Sequence, residues 1–94
     1  MPKLKTSARE EANRIVQACI ANNMELYGVS EDELATRLGI VKKTLQNKRK
    51  RPEIFTFDEL RNIAQILKFT PIQNASILSG KAITSKNLKE FILL

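Results

Sequence analysis

The chain has 94 residues, 43% apolar and 28% charged, with only three Gly and three Pro, which favours one small helical domain over a turn-rich β fold. Net charge is +6; residues 42–51 hold six Lys/Arg and no acid, so the rest of the chain balances and the excess points to an anionic partner. No histidine and a single cysteine, Cys19, exclude an internal disulfide, a zinc site and a His-based acid/base pair.

The N-terminal Met1-Pro2-Lys3-Leu4-Lys5 has no secretory apolar stretch. No uninterrupted apolar run exceeds four residues, as in Phe91-Ile92-Leu93-Leu94, far from the ~20 needed to span a bilayer. A cytoplasmic protein without a membrane partner is expected.

The first helix is predicted to start at Ser7, which forms a capping box with Glu10. Ala8, Ala12, Ile15, Val16, Cys19 and Ile20 recur at helical spacing, which makes Cys19 a small core residue. The helix should end near residues 22–26, with Tyr27-Gly28 as the stop. Ser30 and Glu33 repeat the capping pattern and open a second helix whose inner face is Leu34, Ala35 and Leu38. Ala35 is small where two helices cross closely, and Gly39 supplies a turn residue tolerant of φ > 0.

Residues 42–51 are predicted to form a third helix with one inward residue, Leu45. A helix with a polar, cationic exterior is poorly made for a core and well made for the major groove of DNA, where cations meet phosphates and amides meet base edges. Arg51-Pro52 ends it, because the residue before proline is biased away from helical geometry. Thr56 and Glu59 form a further capping box, with Phe55 and Leu60 as a hydrophobic staple. The fourth helix carries Phe57, Leu60, Ile63, Ala64 and Leu67 on one face, and Phe55 and Phe57 are read as core. Thr70-Pro71-Ile72-Gln73 starts a fifth helix, which runs to about Ser79 with Gly80 as its cap. Residues 81–94 form either an extended tail or a short sixth helix capped by Ser85 and carrying Leu88, Phe91 and Ile92. Their apolar end either packs on its own core or makes a dimer contact. The expected architecture is all-α, a compact five-helix domain over residues 1–80 followed by the 81–94 tail.

Leu34-Ala35-(x2)-Leu38-Gly39-Ile40-(x4)-Leu45, with Phe57-Asp58-Glu59-Leu60-(x3)-Ala64-(x2)-Leu67 downstream, resembles the phage repressor/Cro-like (Xre) helix-turn-helix family over roughly residues 8–79. The resemblance implies a repressor-like fold, a small transcriptional regulator that binds double-stranded DNA, a phage or mobile-element setting, and a third helix that reads the major groove. It places Lys42, Lys43, Gln46 and Asn47 on base edges. Lysine donates to guanine O6/N7, and Gln or Asn pairs bidentately with adenine. Arg49, Lys50 and Arg51 at the exit of the third helix and Ser30 at the start of the second are read as phosphate contacts, and Thr44 as meeting either a phosphate or a thymine methyl.

Three residues depart from the family pattern. Lys48 replaces an apolar anchor, which predicts a shorter or more exposed end to the third helix. Arg49 stands where a glutamate is common. Glu31 replaces a glutamine that reaches phosphate; an acid there repels the backbone, and Glu31 is given no binding role. One recognition helix reads few base pairs, so a symmetric homodimer on paired half-sites is expected. These departures and the apolar C-terminus keep a second reading open, a protein-interaction module that has lost DNA reading. An enzyme, a cofactor and a small-molecule substrate are not expected, because the chain holds no metal-ligand cluster and no phosphate-cradling glycine loop.

Overall fold

The structure, a computed structural model, describes residues 7–81. Among these are five α-helices and no strand: α1 (Ala8–Tyr27), α2 (Glu31–Leu38), α3 (Lys42–Lys50), α4 (Phe57–Ile66) and α5 (Pro71–Ser79), with a 3-10 turn at Pro52–Ile54 between α3 and α4. The readings made for residues 82–94, including the sixth helix and the dimer contact, lie outside the described residues.

The helix starts follow the capping signals, with one difference. Thr56 and Thr70 form complete boxes with Glu59 and Gln73. Ser7 and Ser30 each accept the N–H three residues on, at 3.1 Å, but the reciprocal half is missing. The Glu10 carboxylate accepts from the Ser7 hydroxyl instead, and Glu33 pairs with Arg37 one turn along α2 at 2.7 Å. Three helix ends use left-handed glycines, Gly28 after α1, Gly39 after α2 and Gly80 after α5. At the first two, the following N–H reaches back five residues, Val29 to the Met24 carbonyl and Ile40 to that of Ala35.

The core is drawn from every helix but α5: Val16 and Ile20 from α1, Leu34 and Ala35 from α2, Leu45 from α3, and Ile63 from α4, joined by Phe55, Leu67 and Phe69. Ile77 of α5 packs against it, as does half-buried Cys19, where burial raises the thiol pKa. α2 lies against α3 and α4, while α1 lies against α5 and the 3-10 turn. Phe57, read as core, is instead 63% exposed. The Arg61 guanidinium lies 5.7 Å from its ring centroid, one turn along α4. As the first residue of α4, just past the Thr56 cap, Phe57 faces away from the seam that Phe55 enters.

Buried Asn23, which has no place in the apolar pattern, ties three elements together. Its amide donates to the Leu67 carbonyl at the end of α4 (2.8 Å) and to Gln73 Oε1 (3.1 Å), while Gln73 donates back to Asn23 Oδ1 (2.7 Å). A buried carbonyl left by the end of α4 is thereby satisfied from α1.

Candidate nucleic-acid interface

α3 is a weak helix by its own sequence. Val41 stands at its N-cap and supplies no side-chain acceptor. Lys42 and Lys43 in the first turn oppose the helix dipole, whereas Lys48, Arg49 and Lys50 in the last turn suit it. Nine residues with a single buried apolar side chain do not sustain a helix in water. Tertiary contacts hold α3 in place.

Four of these contacts lie on its inner side and at its C-terminal end. Leu45 is fully buried against the core. Lys48 Nζ reaches both oxygens of Glu59 at 2.6 and 2.7 Å, with both side chains only 18% exposed. Arg49 Nη1 meets Glu31 Oε2 at 2.7 Å across the α2–α3 seam. Gln17 of α1 donates to the Arg49 and Lys50 carbonyls (3.0 and 3.3 Å), filling two acceptors that the end of a helix leaves open. The expectation of a shorter or more exposed end to α3 is corrected accordingly: the helix runs to Lys50, and Lys48 serves as a polar anchor by reaching a carboxylate.

The carboxylates of Glu31 and Glu59 both stay ionised below their ordinary range. For Glu31, the hydrogen bond from Gln46 is the largest influence, desolvation opposes it, and Arg49 adds to the lowering. For Glu59, desolvation is the largest influence and pushes upward, but Lys48 and the Thr56 backbone N–H together outweigh it.

The residues expected on bases and phosphates divide by their surroundings. Lys43, Asn47 and Lys50 share the outward face of α3, exposed, and their side chains have no hydrogen-bond or ion-pair partner among the described residues. Lys42 is exposed beside Asp32 at 3.5 Å, and Arg51 is exposed with its Nε 3.8 Å from Glu53. Thr44 is half-buried on the opposite flank. Gln46 is half-buried, its Nε2 donating to Glu31 Oε1 at 3.3 Å, and Arg49 is in the ion pair described above. Ser30 remains exposed, with its hydroxyl oxygen occupied as the α2 cap. An open groove of about 540 Å³ runs between α1 and the α2–α3 seam, lined by Gln17, Ala21, Glu31, Gln46, Arg49 and Lys50.

Sequence reasoning missed Glu31 and Gln17 at this surface. An acid at position 31 repels phosphate unless a cation stands beside it, and the cation is Arg49, which only the docking of α3 on α2 brings there. Gln17 stands among the apolar repeats of α1 as an ordinary polar residue; its role depends on where the end of α3 arrives, 32 residues later. No family model, curated protein or solved structure matches the chain. Among the described residues, no helix is long and apolar enough to cross a membrane.

Proposed function

We propose that the chain is a sequence-specific double-stranded DNA-binding protein, a small transcriptional regulator of the phage repressor/Cro-like kind. In this reading α2 and α3 form a helix-turn-helix, and α3 enters the major groove. One observation carries it: α3 is fixed from the inside by Leu45, Lys48 and Gln17, and presents Lys43, Asn47 and Lys50 outward, uncovered by any described residue. Asn47 is assigned a base edge, as adenine offers it both a donor and an acceptor, and Lys43 and Lys42 are assigned base edges at the helix start. Lys50, Arg51, Thr44 and the exposed start of α2 at Ser30 flank the groove as phosphate contacts. A helix of nine residues covers few base pairs, so two copies on paired half-sites supply the remaining affinity.

Selection of bound duplexes from a random pool, followed by titration of the selected and a scrambled duplex, tests the reading. Wild-type protein should prefer the selected duplex, and Asn47→Ala should lose ~1–3 kcal/mol of that preference. Equal binding to both sequences, or none, rejects it.

A second reading, a protein-interaction module on the same helices, is favoured by the neutralisation of Lys48 and Arg49 within the fold. It requires that adding duplex leave the amide resonances of residues 42–51 unmoved in a nuclear magnetic resonance titration.

A further inference from the structure

The one acid on the candidate interface that contacts α3 at two points is Glu31, and its two oxygens are used differently. Oε2 holds the Arg49 guanidinium at 2.7 Å, and Oε1 accepts from the Gln46 amide at 3.3 Å. Both partners line the groove between α1 and the α2–α3 seam, where Lys50 also lies. We propose that Glu31 is a specificity-determining residue of the duplex interface, which orients Gln46 for base reading and withholds Arg49 from the DNA backbone.

A primary amide has two N–H groups and a carbonyl; Glu31 occupies one N–H of Gln46 and leaves the other N–H with the carbonyl, the pair that adenine N6/N7 requires. A half-buried side chain held at one end has less rotamer freedom to lose on binding. Arg49 would otherwise be the strongest phosphate ligand on this flank, since guanidinium forks match phosphate oxygens. With its charge met by Glu31, the groove has Lys50 as its one cation without a partner among the described residues. Phosphate attraction is blind to sequence, so removing one such contact lowers binding to every duplex alike and leaves a larger share of the affinity to base edges. Asp32 does not share this role. Its contact with Lys42 is 3.5 Å long, is exposed, and lies outside the groove.

This inference rests on the duplex reading above, and Glu31→Gln separates the two. At 0.1 M salt the variant should bind a scrambled duplex about tenfold tighter, with a salt slope steeper by about one phosphate contact. Its preference for the selected duplex over one altered at the adenine read by Gln46 should fall. Glu31→Ala should give the same direction, and circular dichroism of both variants checks that the helices persist. Adding Arg49→Met to Glu31→Gln should return scrambled-duplex affinity and slope to the wild-type values. Wild-type binding with neither a tighter nor a steeper variant overturns the role of Glu31 alone, and so does a gain that survives Arg49→Met. Absence of duplex binding by wild type and variant together overturns both.

Discussion

Two side chains carry much of the polar cohesion of this small domain. Asn23 is 2% exposed and serves the Leu67 carbonyl and the Gln73 side chain at once. Asn23→Ala should cost about 2 kcal/mol, because a buried carbonyl is left without a donor, and Asn23→Leu should recover little of it. Urea unfolding checks this; the midpoint should fall with the m-value unchanged. Glu59 is the other, with its carboxylate shared between the Lys48 ammonium and the Thr56 N–H. Its folded pKa is lowered, as is that of Glu31. The stability both contribute is therefore fully present above the ordinary carboxylate value of ~4.3 and is lost as pH falls below it through the lower folded values. Thermal midpoints measured from pH 7 to pH 3 should drop over the acid end, and Glu59→Gln should start lower at pH 7 and fall less. An equal acid drop in wild type and variant would remove Glu59 from this account.

At the level of elements, α3 breaks the rules that the other helices keep. α1, α2, α4 and α5 each begin at a Ser or Thr that accepts a backbone N–H, whereas α3 begins at Val41, 67% exposed and extended at φ −77°, ψ 153°. Val41→Ser fits that geometry without giving up buried surface and should stabilise the domain by ~1 kcal/mol, raising the melting midpoint by about 4–8 °C. No rise, with α3 intact, would show that the start of α3 is satisfied by other means. Locally suboptimal starts concentrate where function overrides stability, and two lysines in the first turn of an uncapped helix fit that pattern. Element positions were legible in the sequence for a related reason. Ser7, Ser30, Thr56 and Thr70 act within their own turn, so their spacing to residues 10, 33, 59 and 73 is enough to read. Pro52 likewise marks the end of α3, although the 3-10 turn behind it carries no separate signal. What could not be read is which partner a side chain takes when more than one comes within reach, whether one turn away or far along the chain. Glu33 turns to Arg37 and leaves its box half made, Phe57 turns outward under Arg61, and Gln17 meets a helix end 32 residues away. The candidate site shares this division. The outward face of α3 follows from helical periodicity about Leu45, while the partners of Gln46, Lys48 and Arg49 depend on how α2 and α4 are docked.

For the whole molecule, a run of six cations is a different object once folded. In the sequence, residues 42–51 carry the entire net charge of +6. In the fold, the Lys48 ammonium is enclosed with Glu59 and Arg49 is held by Glu31, so neither charge is offered to a partner. Lys43 and Lys50 remain open, and Lys42 and Arg51 stand in long, exposed pairs that exchange readily with solvent ions. On the proposed duplex reading, about four cations of this run per chain are thus free to displace counterions from DNA. Log K against log salt should fall with a slope of about −3.5 per protomer, whereas six available cations would give about −5. Lys50→Ala should flatten that slope by about one unit. Lys48→Ala should leave it unchanged while lowering stability, because it strips Glu59 of a half-buried partner and touches no phosphate. Isotherms at several salt concentrations for these two variants separate charge that folding consumes from charge that recognition can use. A wild-type slope near −5, or a loss of slope on Lys48→Ala, would mean that both internal ion pairs open when the duplex binds.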